Sequence, residues 1–247
     1  MAKKLQSLSI FFPAFNEVGN IIACIRAAEK IAKKVAHNYE IIIINDGSTD
    51  KTAQKVRQLK KDIPQLSLYT QKNQGYAGAL KAGFAVCKNE WIFFSDSDNQ
   101  FDLNELKSFI RYTETYRVII GYRKKRAEGW KRQIFALALK VWNRIFLGFP
   151  SEIKDIDCAF KLLHTSAVKE ISPLVAESAL ISTELLLKLH HSKIMIKQVP
   201  VTHYKRMFGV QTGNNRAVIY KAIVDTLNLK IKLLSKNQVT NKVGALS

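Results

Sequence analysis

Two aspartates, Asp96 and Asp98, follow directly after an apolar run, Trp91–Phe94. In extended backbone, residues two positions apart project to the same side, so both carboxylates would face one point. Carboxylates so placed can bind a hard divalent cation through oxygen, with positions left for water and phosphate oxygens. Gln100 follows at the same spacing and could add a carbonyl oxygen. The alternative is a polar turn that leads into the next helix, and an isolated Asp-x-Asp is more often such a turn.

Two other carboxylates also follow apolar runs. Asp46 ends the run IIIIND, and the Gly-Ser pair after it is typical of a tight turn. Asp46 could accept hydrogen bonds from a nucleobase or a ribose. The alternative is a plain strand–turn–helix connection in which Thr49 or Asp50 caps the helix. Glu17, in PAFNE, follows the first run in the same way, or it is a first-turn carboxylate stabilised by the helix dipole.

Elements that would position these carboxylates alternate along the first half of the chain. Five apolar runs predict buried strands: Leu8–Phe12, Glu40–Ile44, Leu66–Tyr69, Trp91–Phe94 and Val118–Ile120. Four segments between them predict helices: Val18–Ala36, Thr49–Lys60, Tyr76–Val86 and Leu103–Thr115. Asp102 with Glu105 resembles a capping box at the start of the last helix. Apolar strands that alternate with helices predict an α/β fold, with a mostly parallel sheet flanked by helices on both faces.

Each predicted strand is followed by a polar loop. The five loops contain, in chain order, PAFNE, NDGS, QKNQG, SDSD and GYR. In open α/β sheets, ligands bind beyond the carboxyl ends of the strands. Each loop alone is an ordinary turn, but the set predicts a ligand-binding crevice at one sheet edge.

The second half of the chain has a different character. Residues 123–150 begin basic and become apolar and aromatic, which predicts an amphipathic segment. Residues 151–207 return to mixed strand and helix signals, with Lys193–Val201 the clearest strand, and residues 216–235 predict a terminal helix flanked by lysines. The basic segments suit a protein that lies on an anionic membrane. Equally, they suit helices that cover the sheet and carry solvated lysines.

Several classes of function are disfavoured. The chain has no GxGxxG after its first strand and no GxxxxGK[ST], which argues against dinucleotide enzymes and P-loop NTPases. It has neither GxSxG nor HExxH. Three well-separated cysteines argue against a disulfide framework and a zinc site, and they predict a reducing, cytoplasmic location. No apolar run reaches the roughly 18 residues of a membrane-spanning helix.

The formal net charge of +19 predicts a polyanionic neighbour. Nucleic acid, an acidic membrane surface and phosphorylated ligands all meet that description. A nucleic-acid-binding protein is therefore a rival of a different class, although the sequence contains no recognisable nucleic-acid-binding module, and we expect no nucleic-acid partner. A sugar-phosphate nucleotidyltransferase is a second rival, because it too has an α/β nucleotide site.

Four motifs in the first half resemble family 2 glycosyltransferases of the GT-A fold. They are PAFNE, INDGSTDKT, NQGYAGALKAGF and SDSDNQF, in the order and spacing of that family. The later motifs, GYRKKR, WKR, DIDCAFKLL, STELLLKL and VPVTHYKRMFGVQTG, are similar to the branch that contains dolichol-phosphate mannose synthase and bacterial polyprenyl-phosphate sugar transferases. The resemblance covers about residues 8 to 215. It implies a Rossmann-like nucleotide-diphospho-sugar transferase domain.

The resemblance also implies roles for individual residues. The base and ribose would be held by Pro13, Phe15, Glu17, Ile44 and Asp46. The sugar nucleotide would meet Asp96, Ser97 and Asp98, with the metal at Asp96, Asp98 and Gln100. Phosphates would be contacted by Arg123 and Arg206, with Arg132 a further candidate, and Asp98, Arg123 and Arg206 would carry catalysis. The chain departs from the family pattern at Phe15, where tyrosine is frequent.

The resemblance implies a metal-dependent, inverting transfer of a hexose to a polyprenyl or dolichyl phosphate. The cofactor would be Mg²⁺ or Mn²⁺, and the donor would be of the GDP-mannose or UDP-glucose type. We expect a glycosyltransferase domain over 1–215, with a nucleotide-sugar half (1–122) and an acceptor half (123–215), then a C-terminal amphipathic helix and tail (216–247). The enzyme would be cytoplasmic. If the basic segments bind a membrane, it would lie as a peripheral protein on the cytoplasmic face. Its oligomeric state stays open.

A different acceptor remains an alternative within the same enzyme class. A saccharide, lipid or protein hydroxyl would need a carboxylate base, unlike a phosphate, which is already ionised near neutral pH. Asp98, Asp157 and Glu184 are the first candidates for that base. Asp157 and Glu184 could equally be structural ion-pair partners, and we favour that interpretation.

Overall fold

The computed structural model describes residues 3–124, 144, 146–206, 208 and 225–231. These residues form one α/β unit around a central sheet. Arg132 lies outside the described residues, as do most of the basic segment 123–150 and of the predicted terminal helix 216–235. Residues 225–231 are helical, as predicted for that part of the chain.

Seven strands make up the sheet of the described residues. They are β1 (Leu5–Ala14), β2 (Ala36–Asp46), β3 (Leu66–Gln71), β4 (Trp91–Ser95), β5 (Val118–Arg123), β6 (Phe160–His164) and β7 (Ile196–Val201). Their order is β3-β2-β1-β4-β6-β5-β7. All neighbours pair in parallel except at β6, which runs antiparallel to β4 and β5. The predicted mostly parallel sheet is confirmed.

Helices cover both faces of this sheet. They are α1 (Ile21–Val35), α2 (Thr52–Leu59), α3 (Gly75–Val86), α4 (Leu106–Ile110), α5 (Thr165–Ile171) and α6 (Ile181–His191), with a 3₁₀ turn over Leu103–Glu105. Gly83 lets α3 approach β1 closely, because a Cβ there would lie 2.3 Å from the Phe11 ring. In the described part of the chain, no helix is both long and apolar enough to cross a membrane.

Alternation along each strand divides the core into two layers. On β2, Ile41 and Ile43 face one layer, with α1, while Ile42 and Ile44 face the other, with α3 and α6. All four isoleucines are buried. Because helices cover both faces, the central run of β2 is apolar at every position rather than at alternate ones.

Two local features differ from the sequence prediction. The predicted capping box is wrong in its second half. Asp102 accepts a hydrogen bond from Asn104 N, as a cap would. The Glu105 carboxylate instead accepts hydrogen bonds from the backbone N–H and the hydroxyl of Thr202, at 2.8 and 2.7 Å. Strand β6 was not predicted as a separate element. Its fully buried Lys161 interrupts what would otherwise be an apolar run.

Candidate active site

The carboxyl ends of β2, β1 and β4 lie side by side, because these three parallel strands are neighbours. The register pairs Ala14 of β1 with Asn45 of β2, so Phe15 and Asp46 follow at adjacent positions. The Ser97 hydroxyl donates to the Pro13 carbonyl at 2.9 Å, which ties the turn after β4 to the end of β1. The loops after β1, β2 and β4 that the sequence singled out therefore lie next to one another at this edge, and the ligand-binding crevice itself stays a prediction.

Asp96 and Asp98 form a carboxylate pair at the end of β4. Asp96 is half-buried and Asp98 is buried, with 7% of its surface exposed. Burial and the charge of Asp98 raise the pKa of Asp96 to about 7, although the positive charges of Lys161 and Arg123 oppose this rise. Two carboxylates that repel each other in a buried site favour a bound cation. Asp98 is oriented by Gln100, whose backbone N–H donates to its Oδ1 at 3.1 Å.

The positively charged side chain of Arg206, a residue far away in the sequence, lies close to this pair. Its Nη1 lies 3.6 Å from Asp98 Oδ2, and its Nη2 donates to Glu17 Oε1. Its Nε donates to the Phe208 carbonyl at 2.7 Å. One guanidinium therefore faces both the β1–α1 loop and the β4 turn.

The segment around Arg206 is held against the site by backbone contacts. Tyr204 N donates to the Gln100 carbonyl, and the Gln100 side-chain amide donates to the Tyr204 carbonyl, both at 2.8 Å. His203 forms an antiparallel bridge with Phe101. The structure therefore places the Gln100 side chain against this segment, and its predicted metal contact stays a prediction.

The PAFNE and NDGSTD loops are interlocked. Asn16, with a φ of 56°, accepts hydrogen bonds through Oδ1 from Thr49 N at 2.8 Å and Asp50 N at 3.3 Å. In return, Val18 N donates to Asp50 Oδ2 at 3.2 Å, and Glu17 N donates to the Thr52 hydroxyl at 2.9 Å. These contacts hold Glu17 at the crevice.

Asp50 has a larger role than the cap that the sequence suggested. Burial alone would raise its pKa, but hydrogen bonds from Thr52 and Val18 outweigh burial and lower the pKa below its ordinary value. Sequence reasoning missed this cross-loop role. The signal available was the density of short polar side chains in NDGSTD, which exceeds what one helix cap requires.

Asp46 lies at the end of β2 and is buried, with 4% exposed. Its Oδ1 accepts hydrogen bonds from Gln71 Nε2 at 2.7 Å and Gln74 N at 2.9 Å. Phe15, which follows the register partner of Asn45 on the adjacent strand, is 43% exposed. Ile44 is fully buried in the core beneath the edge, and its predicted contact with the nucleotide stays a prediction.

Arg123 forms a buried ion pair with Asp155. Its Nε and Nη2 donate to the two carboxylate oxygens at 2.7 and 2.9 Å, and their side chains are 7% and 4% exposed. Burial alone would lower the pKa of Arg123, but the hydrogen bond and charge of Asp155 raise it above the ordinary value. Nearby, Lys161 Nζ donates to the carbonyls of Ile156 and Cys158.

The other candidate groups of the second half have different surroundings. Glu184 is fully buried and accepts hydrogen bonds from Val175 N at 2.9 Å and Ala176 N at 2.7 Å, whereas Asp157 is exposed. Burial raises the pKa of the Cys158 thiol to about 12, which suits a packing residue. Among the residues that the structure describes, no three His, Cys, Asp or Glu side chains converge as a metal cluster.

About two thirds of the chain match the model of a known protein family. A model described as "Glycosyl transferase family 2" matches residues 9–172. The dolichyl-phosphate beta-glucosyltransferase of Saccharomyces cerevisiae is 28% identical over 80% of this chain and 67% of its own length. The dodecaprenyl-phosphate galacturonate synthase of Rhizobium johnstonii is 25% identical over 97% of this chain and 71% of its own.

A third relative matches a shorter region. The undecaprenyl-phosphate 4-deoxy-4-formamido-L-arabinose transferase of Pseudomonas fluorescens is 29% identical over 47% of this chain. The match covers 35% of that protein's own length.

Solved structures share the fold. The glucosyl-3-phosphoglycerate synthase of Mycobacterium tuberculosis, crystallised with Mn²⁺, UDP and glucosyl-3-phosphoglycerate, superposes with a TM-score of 0.71 at 15% identity over 91% of this chain and 80% of its own. Another crystal of that synthase contains Mg²⁺ and UDP and gives a TM-score of 0.68. The predicted GT-A fold is confirmed.

Proposed function

This chain belongs to glycosyl transferase family 2, and we propose that it transfers a hexose from a nucleoside diphosphate sugar to a polyprenyl phosphate. The observation that carries the proposal is the carboxylate pair Asp96 and Asp98, which lies at the carboxyl edge of the sheet and faces Arg206. Anionic and cationic groups at this edge suit a metal-bound diphosphate.

The nucleoside would bind at the ends of β1 and β2. Pro13 and the exposed ring of Phe15 would contact its planar part, while Glu17 and Asp46 offer carboxylate oxygens to ribose or base donors. The interlocked loops hold these groups before the ligand arrives, which reduces the ordering that binding requires.

The diphosphate would lie over the turn Asp96-Ser97-Asp98. The donor set fits Mg²⁺ or Mn²⁺, because its two carboxylates are hard oxygen ligands. Burial and the charge of Asp98 raise the pKa of Asp96, and a bound cation would favour the ionised form of both groups. Gln100 could complete the protein ligands with its carbonyl oxygen. When bound, the ion supplies Lewis-acid stabilisation of the charge that develops on the departing diphosphate.

Arg206 would contact the phosphates from the side opposite the metal ion. In the structure its guanidinium faces Glu17 and Asp98, at the place where donor phosphates would meet the carboxylate pair. A guanidinium is permanently charged and can bind phosphate oxygens in bidentate fashion. Arg123, fixed by Asp155, and Arg132 would carry positive charge toward the acceptor side.

A polyprenyl phosphate as acceptor is supported by the relatives. The three similar proteins named above are named for dolichyl, dodecaprenyl and undecaprenyl phosphates, although their sugars differ. A phosphate oxygen is already ionised near neutral pH, so its attack on the sugar needs no strong base. Attack from the face opposite the leaving diphosphate would invert the anomeric centre.

The lipid acceptor implies work at a membrane surface. We place the enzyme on the cytoplasmic face as a peripheral protein, because the chain carries a net charge of +19 and anionic lipids attract basic segments. Binding to vesicles that contain anionic lipid, in comparison with neutral vesicles, tests this part separately.

The experiment is a transfer assay with purified protein. Nucleotide sugars, labelled in the sugar, are incubated with a polyprenyl phosphate, with Mg²⁺, with Mn²⁺ or with chelator, and the lipid product is quantified. Asp98→Ala is expected to lower turnover by about 10²-fold or more while the fold is retained. Asp62→Ala, which removes an exposed carboxylate that pairs with Arg26, is the matched control.

Three outcomes decide the proposal. The proposal is supported if label enters the lipid product, if transfer depends on the metal, and if turnover is lost in Asp98→Ala but not in Asp62→Ala. Transfer to an added alcohol or saccharide instead of the lipid phosphate keeps the enzyme class but replaces the acceptor. Wild-type turnover in Asp98→Ala contradicts the assignment of the site.

A further inference from the structure

The two oxygens of the Asp46 carboxylate differ in their contacts. Oδ1 accepts two hydrogen bonds, from Gln71 Nε2 at 2.7 Å and from Gln74 N at 2.9 Å. Oδ2 accepts no hydrogen bond from the part of the chain that the structure describes. Since a carboxylate oxygen has two lone pairs in the carboxylate plane, Oδ1 is saturated and Oδ2 is the available acceptor.

This asymmetry is fixed by the backbone. Asp46 and Gln71 are register partners on β2 and β3, so the side chain of one lies beside the other. The second donor, Gln74 N, precedes α3 in a loop that packs closely on the turn after β2. At Gly47 in that turn, φ is +74° and a Cβ would lie 2.8 Å from Asn73 N. The carboxylate therefore has little freedom to rotate.

The available oxygen belongs to the proposed nucleoside subsite. Asp46 follows Asn45, which is in register with Ala14, and Phe15 follows Ala14 on the adjacent strand. An accessible ring beside a buried carboxylate can stack on the face of a nucleobase while the carboxylate binds its edge.

Nucleobases differ in how many donors they present to a carboxylate. Uracil has one ring N–H, between two carbonyl oxygens, and a single carboxylate oxygen satisfies it. Guanine presents a ring N–H and an adjacent amino group, which pair best with both oxygens of one carboxylate. A guanine bound here would leave one donor opposite a saturated oxygen, and an unmatched donor costs affinity.

We propose that Gln71 is a specificity-determining residue, which occupies Asp46 Oδ1 and so selects a uridine diphosphate sugar over a guanosine diphosphate sugar. This inference rests on the proposed function, since it assigns Asp46 to the base of the donor. It goes beyond that function by naming the nucleoside and the residue that decides it.

The test measures binding of UDP and of GDP, each with Mn²⁺, by calorimetry. We expect the wild type to bind UDP at least about tenfold more tightly than GDP. In Gln71→Leu, Oδ1 regains a free lone pair, so this preference should shrink by about tenfold, chiefly through tighter GDP binding. Gln71→Ala serves as the second variant, and Gln58→Leu, which alters an exposed amide on α2, is expected to keep the wild-type ratio.

Each outcome bears on the inference. Equal binding of the two nucleotides by the wild type, or tighter binding of GDP, overturns it and leaves the transferase proposal intact. An unchanged ratio in folded Gln71→Leu and Gln71→Ala removes Gln71 from the argument and also overturns it. If neither nucleotide binds, the proposed function itself fails and this inference fails with it.

Discussion

Arg206 donates a hydrogen bond to Glu17 across 189 positions of sequence, and the two side chains are only 18% and 10% exposed. The pair joins the segment after β7 to the loop after β1. Because Arg206 also lies 3.6 Å from Asp98, it balances carboxylates on both sides of the proposed diphosphate site. If a metal-bound diphosphate entered there, the divalent cation would bind the carboxylates and the phosphates would bind Arg206. Arg206 would then contact phosphate oxygens instead of carboxylate oxygens.

Arg206→Met is expected to lower kcat by about 10²-fold, since a fixed cation near developing charge is worth that much in other enzymes. Arg206→Lys should retain part of the rate, because an ammonium supplies the charge but not the bidentate geometry. Steady-state kinetics with saturating metal measure both. Arg57→Met, at an exposed position on α2, is the control. A wild-type kcat in Arg206→Met would remove this residue from the proposed mechanism.

Asp50→Asn is expected to destabilise the protein at neutral pH but not in acid. Hydrogen bonds from Thr52 and Val18 hold the pKa of Asp50 below its ordinary value. A carboxylate whose folded pKa is lowered stabilises the fold fully above the unfolded pKa of about 4, and this contribution is lost as the pH falls through the still lower folded pKa. We expect a difference of about 1 kcal/mol in the free energy of unfolding at pH 7.

Urea denaturation of both proteins from pH 7 down to about pH 2, below the lowered folded pKa of Asp50, measures this difference. It should shrink as the pH falls, because a protonated Asp50 is uncharged, like the asparagine side chain that replaces it in the variant. Asp62→Asn is the exposed control. A difference that stays constant over the whole pH range would show that the Asp50 charge has no part in locking the two loops.

The sheet and the meeting of polar loops at its carboxyl edge could be predicted from the sequence, because both depend on local patterns. Strand β4 is predicted by four apolar residues, and a polar turn after each parallel strand necessarily meets its neighbours at one edge. Asp46, Asp96 and Asp98 were singled out in this way, and their ligand contacts stay predictions. Ser97 was named as a ligand contact, and the structure adds its hydrogen bond to Pro13.

Contacts between distant segments could not be predicted in the same way. Nothing around Arg206 indicates Glu17 as its partner, since the pairing depends on where β7 ends relative to β1. Strand β6 was missed because Lys161 breaks its apolar pattern, and only the tertiary structure shows that carbonyls of the preceding loop receive this lysine. Glu105 was assigned to a local helix cap, whereas its carboxylate accepts a hydrogen bond from Thr202 N, just after the end of β7.

Glu184→Gln is expected to lower stability and leave catalysis intact. Glu184 is fully buried, Val175 N and Ala176 N donate to its carboxylate, and Lys188 Nζ forms an ion pair with it at 2.6 Å. An amide replaces one acceptor oxygen by a donor, so the free energy of unfolding should fall by about 2 kcal/mol. Glu177→Gln, at an exposed position nearby, should change it little.

Thermal denaturation and kcat on the folded variant separate the two roles of Glu184. A stable Glu184→Gln protein whose kcat has fallen by about 10²-fold or more would identify a base instead, and would favour a hydroxyl acceptor.

Replacing one member of the ion pair between Arg123 and Asp155 is expected to lower the free energy of unfolding more than replacing both members. Asp155→Asn leaves a buried guanidinium without its charged partner, and loss of one member of a buried pair costs about 3–5 kcal/mol. The double variant Arg123→Met/Asp155→Asn removes both charges and should be less destabilised than the sum of the single changes. Urea denaturation of the wild type, Arg123→Met, Asp155→Asn and the double variant completes the cycle.

The surface pair Arg117 and Glu170, with side chains 46% and 41% exposed, is the matched control. Its disruption should cost about 1 kcal/mol or less, because solvent screens exposed charges. The kinetics of the double variant then test the phosphate role of Arg123. If the folded double variant loses turnover, Arg123 acts on the substrate as well as on Asp155. If it retains wild-type kcat and KM for donor and acceptor, the guanidinium serves the fold alone and the predicted phosphate contact is wrong.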